Sequence, residues 1–147
     1  MVDDLDRKII RALNQNARRS FREIAKELGI SVTAVIHRIK KFEEAGVIKG
    51  YVPIVDFESF GFDITAVIAL RISKGKLLET QKKIAKDERV AAVYDITGEW
   101  DSIVIGHFKD RKDLNDFIKA LLSRENVDRS ITHLVLNVVK EEKRIPV

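Results

Sequence analysis

From Ser20 to Gly46 the chain reads SFREIAKELGISVTAVIHRIKKFEEAG. Ser20 followed by Glu23 is a capping box. It opens a short helix through Leu28, with Phe21, Ile24, Ala25 and Leu28 on the buried side. Gly29 ends that helix, because glycine tolerates the left-handed backbone of a helix stop. Ser31 caps the next helix, which runs to Ala45 before Gly46 stops it. Two helices separated only by Gly29 and Ile30 must turn sharply against each other, which is helix-turn-helix spacing. Such a turn needs a small residue where the helices approach, a glycine in the corner and an apolar lock on the second helix. Ala25, Gly29 and Val35 stand at those three offsets.

At about 3.6 residues per turn, the second of these helices sorts into faces. Val35, Ile39 and Phe42 form the core side. Thr33, His37, Lys40 and Lys41 lie opposite, with Ala34 and Arg38 on one shoulder and Ile36 on the other. Lysines and arginines suit phosphates, Thr33 and His37 suit base edges, and Ala34 or Ile36 suits a thymine methyl. From Arg18 to Lys41 there are seven basic residues (Arg18, Arg19, Arg22, Lys26, Arg38, Lys40, Lys41) against two acids (Glu23, Glu27). The formal net charge of the whole chain is only +4, so the positive charge is local and expects a polyanion. A solvated helical face would carry a similar pattern. The candidate DNA-contacting set is Arg22, Ser31, Thr33, Ala34, His37, Arg38, Lys40 and Lys41.

Upstream, Leu5, Ile9, Ala12 or Leu13 and Asn16 recur at helical spacing and predict a helix over 4–16. Downstream, residues 47–56 are rich in β-formers around Pro53, which limits them to an edge or short pairing. The expected division is a helix-turn-helix domain at 1–50, a β-rich connector at 51–61 and a second domain at 62–147. In that second domain strands are expected at 64–72, 90–97, 101–108 and 131–139, and helices at 76–87 and 110–124. Strand-helix-strand twice over predicts a ferredoxin-like α+β sandwich, a four-stranded antiparallel sheet with both helices on one face. The strands Ala66-Val67-Ile68-Ala69-Leu70 and Ile103-Val104-Ile105 are apolar on both sides, as is Leu134-Val135-Leu136. A sheet covered on one face should alternate, so the second face needs cover, best supplied by the same face of another subunit.

Composition narrows the classes. The chain has 147 residues, 45% of them hydrophobic, and no cysteine. Disorder, disulfides and thiolate sites are therefore set aside. No apolar run reaches about 18 residues, and the acidic start MVDDLD is unlike a signal peptide. A cytoplasmic protein away from membranes is expected.

The segments LDRKIIRALNQNAR, SFREIAKELGISVTAVIHRIKKFEEAGVIKGY and the turn TGEWD together resemble the Lrp/AsnC, or feast/famine, transcription regulators over essentially the whole chain. The resemblance implies DNA binding by the first domain and dimerisation through the second. It also implies assembly of four dimers into an octamer, and a small effector, often an amino acid, held where dimers meet. Gly98 and Asp101 match the family's effector motif, and Thr132 matches a polar position lining the same pocket. Where relatives commonly carry two arginines in the recognition helix, this chain has His37-Arg38. A zwitterion needs an acid for its ammonium and amides for its carboxylate, which Asp101 and the backbone at Gly98 can provide, with Glu99 and Trp100 as wall or interface. A plain hairpin whose Trp100 packs between subunits would account for the same residues. No cofactor is implied beyond such an effector.

Three other classes fit the residues less well. An enzyme would draw on the close acidic cluster Asp95, Glu99 and Asp101; His37, His107 and His133 lack metal-ligand spacing. An RNA-binding sandwich needs stacking aromatics where the 101–108 strand has aliphatic residues. An amino-acid sensor acting only on proteins would have no use for a basic recognition helix.

Overall fold

A computed structural model describes residues 1–147. The first three helices are α1 (Asp4–Gln15), α2 (Phe21–Leu28) and α3 (Val32–Glu44). Asp3 caps α1 reciprocally with Asp6, and Ser20 caps α2 reciprocally with Glu23. Ser31 accepts the Ala34 amide at the start of α3. Gly29 sits at φ 66°, ψ 35°, the left-handed corner that lets α3 leave α2 sharply. Val35 and Ile24 are fully buried beside Ile9, Ala25 and Ile39. Each such aliphatic side chain contributes about 1.5–3 kcal/mol by burial, which holds the turn between α2 and α3 rigid.

The connector departs from expectation. Residues 46–56 contain no strand. The amides of Val47 and Ile48 are taken by the Phe42 carbonyl as the end of α3, at 2.8 and 3.0 Å, and Pro53 has no amide to offer. Val52 and Ile54 are each 83% exposed. A single 3-10 turn follows at Glu58–Phe60.

The second unit contains β1 (Ile64–Ile72), α4 (Leu77–Ile84), β2 (Val90–Asp95), β3 (Ser102–Phe108), α5 (Arg111–Leu122) and β4 (Val127–Leu134). The sheet order is β2-β3-β1-β4, all antiparallel, which is the ferredoxin-like arrangement. One face carries Ala66, Ile68, Leu70, Val104 and Phe108 against Ile84, Leu114, Phe117 and Leu121 of the helices. The last strand begins four residues earlier than the apolar run suggests. Asp128, Arg129 and Ser130 look like turn chemistry, yet Ser130 pairs with Leu70 and Arg129 with Arg71. It also ends earlier, since β1 starts at Ile64 and past the Val135–Thr65 bond there is no strand left to pair with.

The chain forms two compact units, Met1–Ile54 with Lys140–Val147, and Val55–Val139. The tail at 140–147 thus packs with the first unit. Arg11 Nε donates to the Val147 backbone oxygen and Asn14 Nδ2 to the Ile145 carbonyl, at 3.0 and 2.9 Å. No helix is long and apolar enough to cross a membrane.

Candidate DNA-reading helix and effector turn

On α3 the side opposite the core is open. Thr33, Ile36, His37, Lys40 and Lys41 are exposed, as is Arg22 on α2, while Ala34 is half-buried. Ser31 is exposed but its hydroxyl is engaged as the helix cap. Arg38 behaves differently from its neighbours. Its Nη1 donates to Asp3 Oδ2 at 2.6 Å and Asp6 Oδ1 at 2.7 Å, so its guanidinium is turned toward the start of α1. The hydrogen bonds Arg38 donates to Asp3 and Asp6 raise the Arg38 pKa, and Arg38 in turn lowers that of Asp3. Farther round the same unit, Arg19 is paired with Glu27. The free cations of the predicted patch therefore narrow to those that point outward, Arg22, Lys40 and Lys41 among them.

The turn between β2 and β3 sits at the end of the sheet. Gly98 has φ 108°, and a Cβ there would meet nothing within 4 Å; the backbone angle, not crowding, calls for glycine. The Asp101 amide donates to the Leu70 carbonyl at 2.9 Å, and its Oδ2 accepts the Ile72 amide at 2.8 Å. Asp101 thus ties the turn to the end of β1 and retains one carboxylate oxygen for other work. Glu99 is exposed. Trp100 is half-buried beneath the guanidinium of Arg129, 5.1 Å from the ring centre. Thr132 pairs with Ile68, and its side chain is on the opposite face of β4 from Ile131 and His133. The residue of β4 that meets the turn is Arg129, which apolar periodicity passes over because it sits among polar neighbours.

The outer face of the sheet carries Val67 and Ala69 of β1, Ala92 and Tyr94 of β2, Ile103 and Ile105 of β3, and Ile131 of β4, with no helix over it. Tyr94 is 53% and Ile131 40% exposed. At its far end His107 is covered by the Phe57 ring, stacked at 3.9 Å, and its Nδ1 is 2.9 Å from Thr65 Oγ1. Of the two rings on β3, Phe108 faces the helices and is fully buried and His107 is covered by Phe57, so neither is open for base stacking. No group of three or more His, Cys, Asp or Glu side chains is arranged to hold a metal ion.

Comparison with known proteins matches residues 2–49 to the winged helix-turn-helix DNA-binding model and residues 65–145 to the Lrp/AsnC ligand-binding domain. An HTH-type transcriptional regulator of Pyrococcus abyssi is 48% identical over 145 residues, covering 99% of each chain. The HTH-type transcriptional regulator Ptr1 of Methanocaldococcus jannaschii is 36% identical over 148 residues, covering both chains completely. Among solved structures, a Neisseria meningitidis transcriptional regulator in complex with L-methionine superposes with a TM-score of 0.90 at 26% identity, over 99% of this chain and 97% of that one.

Proposed function

Since the chain belongs to the Lrp/AsnC family of transcription regulators, we propose that it regulates transcription by reading DNA with α3 while an amino acid bound at the Gly98–Asp101 turn sets how its subunits assemble. The observation that carries the DNA half is the outward face of α3, where Thr33, His37, Lys40 and Lys41 stand together and exposed. Thr33 and His37 contact base edges, and Lys40, Lys41 and Arg22 contact phosphates. Ser31 and Ala34 meet the backbone and a thymine methyl at the start of the helix. Arg38 contributes chiefly by fixing α3 against α1. The protein works in the cytoplasm, where its DNA is, and acts as a regulator rather than an enzyme, a reading supported by its family.

The effector half rests on Asp101, Gly98, Glu99 and Trp100; Thr132, expected to line the same pocket, is on the other face of the sheet from Arg129 and stands apart from them. The spare oxygen of Asp101 takes an ammonium, and the open backbone at Gly98 takes a carboxylate. A Neisseria relative of the same fold has been crystallised with L-methionine, which makes a single amino acid the effector class to test first. The uncovered apolar face of Val67, Ala69, Ile103, Ile105 and Ile131 is the dimer contact, and four such dimers form the octamer. A pair of recognition helices then reads two half-sites in successive major grooves.

The test is fluorescence anisotropy with a duplex taken from upstream of the protein's own coding sequence, against a scrambled duplex of equal length. Specific binding should be tighter by about a thousandfold or more at physiological salt. Equal affinity for the two duplexes would contradict the reading. A thermal-shift screen of the twenty amino acids tests the effector half.

A further inference from the structure

The register of β1 on β4 sets Arg71 directly opposite Arg129. Side chains so paired project from the same face, about 5 Å apart at Cβ, and like charges there repel. Both side chains are exposed, and neither enters any of the chain's ion pairs. Arg38 is matched to Asp3 and Asp6 and Arg89 to Asp87 and Asp113, while Arg22, like several other arginines, enters no ion pair; what marks Arg71 and Arg129 is their juxtaposition across two strands. The pair is left as concentrated, unmatched positive charge. It stands beside the effector turn. Arg129 lies over the Trp100 ring. Asp101 holds the backbone on both sides of Arg71, through the Leu70 carbonyl and the Ile72 amide. Two arginines, one aromatic wall and one acid are thereby gathered at one end of the sheet. A local rule broken without compensation inside the chain points to a group supplied from outside it.

We infer that Arg71 and Arg129 are the anion anchor of the effector site, and that the effector is an acidic amino acid. This rests on the reading of the Gly98–Asp101 turn as that site. The α-ammonium meets Asp101 and the α-carboxylate meets the amides beside Gly98. The side-chain carboxylate is gripped by the two guanidiniums, whose planar forks match a carboxylate bidentately, and its methylene stem lies along Trp100. A neutral side chain leaves the two charges facing each other.

Calorimetry on the full chain with L-glutamate, L-aspartate, L-glutamine and L-methionine tests this. Glutamate or aspartate should bind about tenfold or more tightly than glutamine, a gap of about 1.4 kcal/mol. Arg71→Gln and Arg129→Gln should each erase most of that gap. Arg129→Lys, which keeps the charge and loses the fork, should retain part of it. Glutamine or methionine binding as tightly as the acids would overturn the inference and leave the effector site standing. Binding of none of the four, with no response to any other amino acid, would overturn both. Sedimentation keeps a third outcome separate. If either glutamine variant dissociates the subunits, the arginines are matched by an acid of a second copy, and the inference falls.

Discussion

Arg38 on α3 gives Asp3 and Asp6 a hydrogen bond from the same nitrogen, at 2.6 and 2.7 Å, and so ties the third helix to the first turn of α1. Asp6 is buried, and its other oxygen caps the Asp3 amide. The residue lies in the basic stretch yet serves as a strut. Arg38→Gln should therefore lower thermal stability even where no DNA is present. The Arg38 hydrogen bond is the main cause that lowers the Asp3 pKa. A carboxyl depressed in the folded state contributes stability above its unfolded pKa of about 4. That stability is lost as pH falls through the folded value. Melting curves between pH 7 and pH 3 should then fall more steeply for the wild type than for Arg38→Gln. Parallel curves would mean the bond contributes nothing in solution.

Lys40 and Lys41 are exposed on the side of α3 away from the core. If they meet phosphates, Lys40→Ala and Lys41→Ala should weaken binding to all duplexes alike. Each should also reduce the slope of log affinity against log salt by about 0.9. His37→Ala should behave otherwise, changing base preference at one position of the half-site with the slope unchanged. Titrations at several salt concentrations separate the two. A slope unaffected by both lysine variants would remove them from the interface.

Asp101 is both a candidate effector ligand and a structural tie to β1. Asp101→Ala removes the two roles together. Asp101→Asn keeps an oxygen for the Ile72 amide and loses the charge, so it should abolish amino-acid binding with little change in melting temperature. Retained binding in calorimetry would exclude Asp101 as the ammonium partner.

Gly106 is a packing glycine. A Cβ there would lie 2.7 and 2.8 Å from ring atoms of Phe108 and 3.2 Å from the Arg89 carbonyl. Phe108 is fully buried against Phe117, ring centres 5.2 Å apart, and has little room to yield. Gly106→Ala should cost about 1–3 kcal/mol, measured by urea denaturation. A neutral result would mean that β3 shifts more easily than its burial suggests.

The helices were legible because their stops and caps are local. Ser20 with Glu23, Gly29 and Ser31 each act within a few residues of themselves, and the apolar residues between them repeat at helical spacing. The sheet was legible in its order and in its two-sided apolarity. What escaped was decided by partners distant in sequence. Asp128 to Ser130 became strand because β1 offers them bonds, although their chemistry reads as a turn. Val47 to Ile54 remained unpaired despite strong β-formers, since α3 takes two of the amides and the chain holds no strand for the rest. The roles of Arg38 and of the Arg71–Arg129 pair depend on contacts across 32 residues or more, which no local pattern records.

In the proposed function α3 reads a defined DNA sequence, and paired subunits present two such helices on one side of the duplex. A hydroxyl-radical footprint of the full chain on DNA upstream of its own coding sequence tests this most directly. Protected stretches should lie about one helical turn apart, near 10 base pairs, on one face of the duplex, and that pattern should be lost in the Lys40→Ala, Lys41→Ala double variant. Uniform protection without spacing, or a pattern unchanged in the double variant, would contradict it.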